Sequence, residues 1–325
     1  MAEILEGPEA IALGVQRLRS GGLVAFPTET VYGLGTDALD AQAVARVFAL
    51  KGRPNSNPLI VHISDEGMAE RVVADWTERA AKLAREFWPG PLTLVLPKAN
   101  TIPDAVTAGG PTVAVRCPAH PVALALIEAF GGPIVGPSAN PSGYISPTIP
   151  EHVRDAFDDQ DLLVIDGGHC RAGIESTVLD LSGPTPTILR PGVIGAHRIG
   201  EALGCSVESR STLEVGERAG SPGLIGAHYQ PRTPTRCVGL SDLREAGSSV
   251  IVLSWSLDEH PAGGTFIKLP GSVEQYAHRM YAALNLGDRS AGSEIWVESP
   301  PRPADKDEQA IFDAVVERLS RAASN

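Results

Sequence analysis

Hydroxyls, a carboxylate and fixed cations gather in one short span of the chain, from Gly22 to Ile63. The apolar run Leu23 to Phe26 ends in Pro27, Thr28, Glu29 and Thr30, so oxygen-bearing side chains collect at a strand end, the place where open α/β sheets bind ligands. Lys51 and Arg53 follow a helical stretch, beside Pro54, Asn57 and Pro58, and the next apolar run, Leu59 to Ile63, carries His62. A loop stiffened by two prolines, with Gly52 between the cations, suits bidentate phosphate contact by Arg53 and point-charge contact by Lys51. The same cations also suit compensation of a helix dipole on a solvated face. Taken singly, Thr30 reads as a strand-compatible side chain and His62 as a satisfied core imidazole.

Other chemistries are excluded. No lysine follows a glycine, so there is no Walker A phosphate loop. The stretch Gly33-Leu34-Gly35-Thr36-Asp37-Ala38 mimics a dinucleotide fingerprint, yet it lacks an acidic residue at the ribose-binding spacing. Gly136-Pro137-Ser138-Ala139-Asn140 lacks the last glycine of a nucleophile elbow. Cys117, Cys170, Cys205 and Cys237 are scattered, with no ligand-like spacing to the histidines, which fits reduced thiols better than zinc or disulfides. A formal charge of −12 disfavours a broad nucleic-acid footprint. That field is screened beyond roughly 8 Å, so Lys51, Arg53, Arg116 and Arg190 can still dominate a pocket. The first twenty residues carry Glu3, Glu6 and Glu9 without a continuous apolar run, and no eighteen-residue apolar stretch occurs anywhere. A soluble cytoplasmic protein, with no membrane association, is the expectation.

The elements that must hold these groups follow from the pattern. Apolar strands are expected near Leu23–Phe26, Leu59–Ile63, Leu92–Leu96, Val113–Val115, Ile134–Val135, Leu162–Ile165 and Val178–Leu181, and helices at Ala41–Leu50, Glu78–Phe87, Pro121–Phe130, Pro150–Phe157 and His197–Leu203. Asp40 is a candidate N-cap. Gly- and Pro-rich turns between strands point to an open, twisted, mixed α/β sheet rather than a clean βαβ repeat. From Cys205 to Pro234 the apolar periodicity lapses into a linker. Strands Val250–Ser254, Thr265–Leu269 and Glu294–Val297, with helices Val273–Leu286, capped by Ser272, and Asp307–Ala322, then predict a smaller three-layer α/β domain. The division expected is 1–204, 205–234 and 235–325.

The Gly22–Ile63 span closely resembles the signature of the threonylcarbamoyl-AMP synthase family of YrdC-like enzymes, and colinear matches follow. These are PTVAVR (Pro111 to Arg116), GPSANPSG (Gly136 to Gly143), IESTV (with Glu175, Ser176 and Thr177), ILRPG (Ile188 to Gly192) and SPGLIGAHYQP (Ser221 to Pro231). The resemblance is dense over the first two-thirds of the chain, and the C-terminal part is similar to that of the long, two-domain members. It implies an open α/β sheet with a concave, partly basic face. It also implies synthesis of threonylcarbamoyl-AMP from L-threonine, bicarbonate or CO₂, and ATP, the first step of the threonylcarbamoyladenosine modification of tRNA. Carried over residue by residue, it places Thr30, His62, Arg116, Ser176 and the backbone at Gly136 on L-threonine. Arg53, Asn57, Thr112, Ser138, Ser146, Arg190 and Tyr229 fall on ATP, with Lys51 as a phosphate partner. Arg116, at a strand end, suits bidentate capture of the α-carboxylate. Mg²⁺ is expected to travel with the triphosphate, and the product to pass to a tRNA threonylcarbamoyl transferase complex without stable RNA binding. No protein nucleophile is expected, and Glu29 suits either a base or a metal contact. Tyr229, in the Gly- and Pro-rich linker, is expected on a lid. That lid departs from the family's usual Met-Lys-Tyr after Ser-Pro-Gly, having Leu224, Ile225 and Gly226, which withdraws a basic side chain from it. Two rival readings are an RNA-binding module and a carbamoyl-transfer domain of hydrogenase maturation. The acidic total and sparse aromatics oppose the first, and the lack of zinc-knuckle cysteine pairs opposes the second.

Overall fold

A computed structural model describes residues 2–210 and 229–323. The larger sheet contains β1 (Glu3–Leu5), β2 (Val24–Phe26), β3 (Gly33–Asp37), β4 (Ile60–His62), β5 (Leu92–Pro97), β6 (Thr112–Arg116), β7 (Ile134–Val135), β8 (Leu163–Ile165), β9 (Thr177–Asp180), β10 (Thr187–Arg190) and β11 (Glu208–Ser209). Their spatial order is β1-β8-β2-β3-β7-β4-β6-β5-β9-β10-β11. Pairing is mixed: β4 runs parallel to β6 and β5 to β9, whereas β2–β3, β4–β7 and β5–β6 are antiparallel. A second sheet, all parallel, has the order β12-β15-β13-β14, from β12 (Thr235–Val238), β13 (Val250–Ser254), β14 (Phe266–Lys268) and β15 (Glu294–Glu298).

Local chemistry sets the elements that matter for the site. The helix Ala41–Lys51 starts where Asp40 Oδ1 accepts from the Gln42 and Ala43 amides, at 2.8 and 3.2 Å. It ends in a Schellman turn: the Gly52 amide donates to Ala49 O and the Arg53 amide to Phe48 O, with Gly52 left-handed at φ 59°. That turn swings Arg53 back toward β4.

Several findings differ from the sequence expectation. Gly33–Asp37 is a core strand, antiparallel to β2, and a Cβ on Gly33 or Gly35 would come within 2.8 or 2.9 Å of the Phe26 ring. These glycines admit an aromatic ring, not a pyrophosphate. Glu208 and Ser209, assigned to the linker, extend the sheet beside β10. An unanticipated helix, Gly7–Arg19, buries Ala10, Gly14, Val15 and Leu18. Ser272 does precede the helix Val273–Arg289, but its side chain makes no capping bond. Residues 211–228 of the expected lid, with the Ser221–His228 part of its motif, lie outside the described residues.

Along β6, Thr112, Ala114 and Arg116 alternate onto one face, and Ala114 packs there with Ile60, Val95, Val178 and Leu189. This small apolar patch floors the concave side. The C-terminal helices Val273–Arg289 and Lys306–Ala322 share an apolar cluster with Val31, Ile145, Ile174 and Tyr229, so the second core is built partly from the first sheet's loops.

Candidate active site

A cavity opens at the ends of β4, β6 and β10, lined by Thr28, Thr30, Arg53, His62, Arg116, Gly136, Ser138, Glu175, Arg190 and Tyr229 among others. Two groups expected on different ligands thus share one space. The expected residues Lys51, Asn57, Thr112, Ser146 and Ser176 are not part of its lining.

At one end His62 and Arg116 are register partners on β4 and β6. The Arg116 guanidinium is held from three sides: Nε donates to Gly90 O at 3.2 Å, Nη1 donates to Thr30 Oγ1 at 2.9 Å, and Nη2 lies 2.7 Å from Glu29 Oε1. Glu29 also accepts from the Ala119 amide at 3.0 Å. Glu29 is therefore a buried counter-ion behind Arg116. A substrate carboxylate would share the guanidinium with Glu29 instead of taking its whole outer edge. Thr28 Oγ1 donates to Val31 O at 2.6 Å and accepts from the Thr30 and Val31 amides at 3.1 and 3.2 Å, with Thr30 Oγ1 2.8 Å away. With Arg116 occupying one acceptor site, Thr30 keeps one lone pair. Burial and the neighbouring Arg116 push the His62 imidazole down to about 3, so the ring is neutral at physiological pH. Its Nδ1 is buried without a hydrogen-bond partner, and Phe26 packs edge-on at 5.6 Å. A Cβ on Gly136 would lie 2.7 Å from that Nδ1, which is why this position carries no side chain.

At the other end the cations are arginines. Arg53 donates from Nε to Asn57 O at 3.2 Å and from Nη2 to Pro58 O at 2.9 Å, and burial lowers it to about 10, leaving it charged. Arg190 donates from Nε to Ser176 O and from Nη2 to Ser176 Oγ, both at 3.1 Å. Burial pulls its pKa down from the ordinary arginine value. Ser176 is thus consumed as an orienting partner of Arg190 and of Thr93, 2.8 Å away. Lys51 donates to the carbonyls of Ser138 and Asn140, and burial followed by the nearby Arg53 holds its pKa well below the usual lysine range. It clamps the loop that presents Ser138 and is no free point charge. Asn57 gives its backbone carbonyl to Arg53 while its side-chain Oδ1 is buried without a partner. Thr112 shares a sheet face with Arg116, but roughly 13 Å along the strand.

Glu175 was quoted in the IESTV match without a role, and it proves to be the hub of the far wall. It accepts from Ser146 Oγ at 2.7 Å, from Tyr281 at 3.1 Å and from Arg318 Nε at 3.0 Å. Burial raises its carboxyl, but Arg318 and Arg190 outweigh that and hold it below its ordinary value. Tyr229 lies over this wall with φ at 67°, and burial pushes its hydroxyl up to about 12. Thr28 was also unassigned in the sequence, although a hydroxyl two residues before Thr30 was a visible signal.

The chain matches two family models. Residues 16–192 match the Sua5/YciO/YrdC model, described as telomere recombination, and residues 194–324 match the threonylcarbamoyl-AMP synthase C-terminal domain. It is 41% identical to the threonylcarbamoyl-AMP synthase of Pyrococcus abyssi over 94% of this chain and 92% of that one. It is 38% identical to that of Bacillus subtilis, over 99% and 95%. A crystal structure of P. abyssi Sua5 complexed with L-threonine superposes with a TM-score of 0.87 at 38% identity, covering 99% of this chain and 97% of the other. The fold, the mixed first sheet and the parallel second one, is that of this relative. Together these place the chain in the threonylcarbamoyl-AMP synthase family, among its two-domain members.

Proposed function

We propose that the cavity makes threonylcarbamoyl-AMP and pyrophosphate from L-threonine, bicarbonate or CO₂, and ATP. The observation that carries this reading is that Arg53 and Arg190 line the same cavity as Thr30, His62 and Arg116. L-Threonine sits at the Thr30 end, its carboxylate on Arg116 and its donors toward the Thr30 lone pair and the unpartnered His62 nitrogen. A buried site that hydrogen-bonds a substrate hydroxyl can reject the analogue lacking it by roughly 10⁴-fold or more. The triphosphate lies toward Arg53 and Arg190, with Ser138 and Tyr229 on the nucleotide. The complex of the P. abyssi relative with L-threonine supports the amino-acid half of this reading.

The neutral threonine amine attacks CO₂, giving a carbamate and releasing one proton to solvent, and a carbamate oxygen then bonds to the α-phosphorus as the bridging bond to the β-phosphate breaks and pyrophosphate leaves. No protein nucleophile takes part. The protein holds the two reactants together and stabilises charge on the phosphate, and such orientation supplies roughly 7–11 kcal/mol in well-aligned systems. Among the described residues no three His, Cys, Asp or Glu side chains gather into a metal cage, and Glu175 is committed to Arg318, Tyr281 and Ser146. Mg²⁺ would enter with the phosphates and would supply charge neutralisation to the departing pyrophosphate. The labile adenylate passes to a tRNA threonylcarbamoyl transferase complex in the cytoplasm. In this reading 1–204 carries the chemistry, and 235–325 closes one wall of the site through Tyr281 and Arg318. No helix among the described residues is long and apolar enough to cross a membrane.

The test is purified protein with labelled ATP and Mg²⁺, scored for pyrophosphate and an adenylate product. Both should require L-threonine and bicarbonate. Pyrophosphate release indifferent to threonine, or tight salt-dependent RNA binding with no turnover, would overturn the assignment.

A further inference from the structure

We propose that the C-terminal domain takes part in nucleotide binding through one positioning residue, Arg318, which cancels the charge of Glu175 in the cavity wall. The inference rests on the cavity being a nucleotide site and assigns the second domain a task in it.

Arg318, on the helix Lys306–Ala322, has no solvent-exposed side-chain surface. Its Nε donates to Glu175 Oε2 at 3.0 Å across 143 residues of sequence, and its Nη1 donates to Pro191 O at 2.8 Å, next to Arg190. The guanidinium carbon lies 5.9 Å from the centre of the Tyr229 ring. Tyr281, from the helix Val273–Arg289, donates to Glu175 and stands 5.6 Å from Tyr229, ring to ring. One C-terminal side chain therefore touches the acidic wall, the strand end that carries Arg190, and the aromatic cover.

A buried ion pair is weak grounds for stability, since apolar residues of equal size often serve as well. Its value here is electrostatic. Glu175 faces a space where a triphosphate must sit, and it cannot be dropped cheaply because it anchors Ser146 and Tyr281. Arg318 lets the carboxylate keep those bonds without repelling the ligand. A loss at Arg318 should then fall on ATP and spare the amino acid, a split that general loosening of the fold would not give.

The experiment uses full-length wild type, Arg318→Met, Arg318→Lys and the double variant Glu175→Gln with Arg318→Met. Mg-ATP and L-threonine are titrated separately by calorimetry, and thermal melts verify folding. Arg318→Met should weaken ATP at least roughly tenfold, the signature of an uncompensated buried carboxylate, and leave L-threonine essentially unchanged. Lysine should be intermediate, because one ammonium cannot span Glu175 and Pro191 as the fork does. The double variant should regain most of the ATP affinity. A folded Arg318→Met that binds ATP like wild type, equal loss of both ligands, or a double variant no better than the single would each overturn the inference. If Arg318→Met does not fold, the lysine and double variants carry the same comparison. Wild type that binds L-threonine but no ATP would instead sink the nucleotide reading beneath it.

Discussion

At the level of single residues, the site works by leaving specific atoms unmet while satisfying their neighbours. Thr30 illustrates this: its hydroxyl meets that of Thr28 and accepts from Arg116, and a second lone pair is left on the cavity side. Thr30→Val removes both functions, and separate titrations should show L-threonine affinity falling by about tenfold or more with ATP affinity kept, since an unmade buried hydrogen bond costs about 1–3 kcal/mol. His62 gives a pH test. Its folded pKa of about 3 lies below the ordinary value of about 6.5, so between these the unfolded chain binds the extra proton and stability falls as pH falls. From pH 7 to 5, wild type should lose about 2 kcal/mol more than His62→Gln in urea unfolding, and equal losses would place His62 elsewhere. The sequence showed Thr30, His62, Arg53, Arg116 and Arg190 as chemistry-bearing groups at strand or loop ends. It did not show that Ser146, Ser176 and Lys51 are spent on Glu175, Arg190 and backbone carbonyls, because those partners lie far along the chain and only the fold brings them close.

At the level of elements, loop geometry decides which cation reaches the ligand. Lys51 and Arg53 are two residues apart, yet the left-handed Gly52 turns one into the loop clamp and the other into the cavity. Gly52→Ala should cost about 1 kcal/mol for placing a Cβ at positive φ, and it should raise the KM for ATP more than that for L-threonine. Equal shifts in steady-state assays would mean that the turn does not aim Arg53. Helices such as Glu78–Phe87 and Pro121–Phe130 were legible because their apolar residues recur with helical spacing between clear stops. Strand β3 was not, because the glycines that accommodate Phe26 erase its strand character. The helix Gly7–Arg19, which starts at Gly7-Pro8 and carries Gly14 within it, gave a weaker helical signal.

At the level of the whole molecule, the two sheets are joined by an apolar cluster and by buried polar contacts to Glu175, so they should unfold together. Trp76 and Trp88 report on the first sheet's surroundings, Trp255 and Trp296 on the second's. Urea transitions of the Trp76→Phe/Trp88→Phe and Trp255→Phe/Trp296→Phe proteins should coincide in midpoint, whereas a C-terminal signal that melts first would show the domains to be loosely coupled. The overall charge of −12 and the local arginine cluster are compatible because the cations are buried around one cavity while most of the acids, Glu29 and Glu175 excepted, are spread outside it. That single cavity, holding amino acid and nucleotide side by side, is the claim on which the rest depends. A non-hydrolysable mimic of threonylcarbamoyl-AMP, titrated against the full-length protein, tests it most directly. It should bind with one-to-one stoichiometry and displace both L-threonine and ATP; displacement of only one of them, or simultaneous binding of the mimic with either, would contradict it.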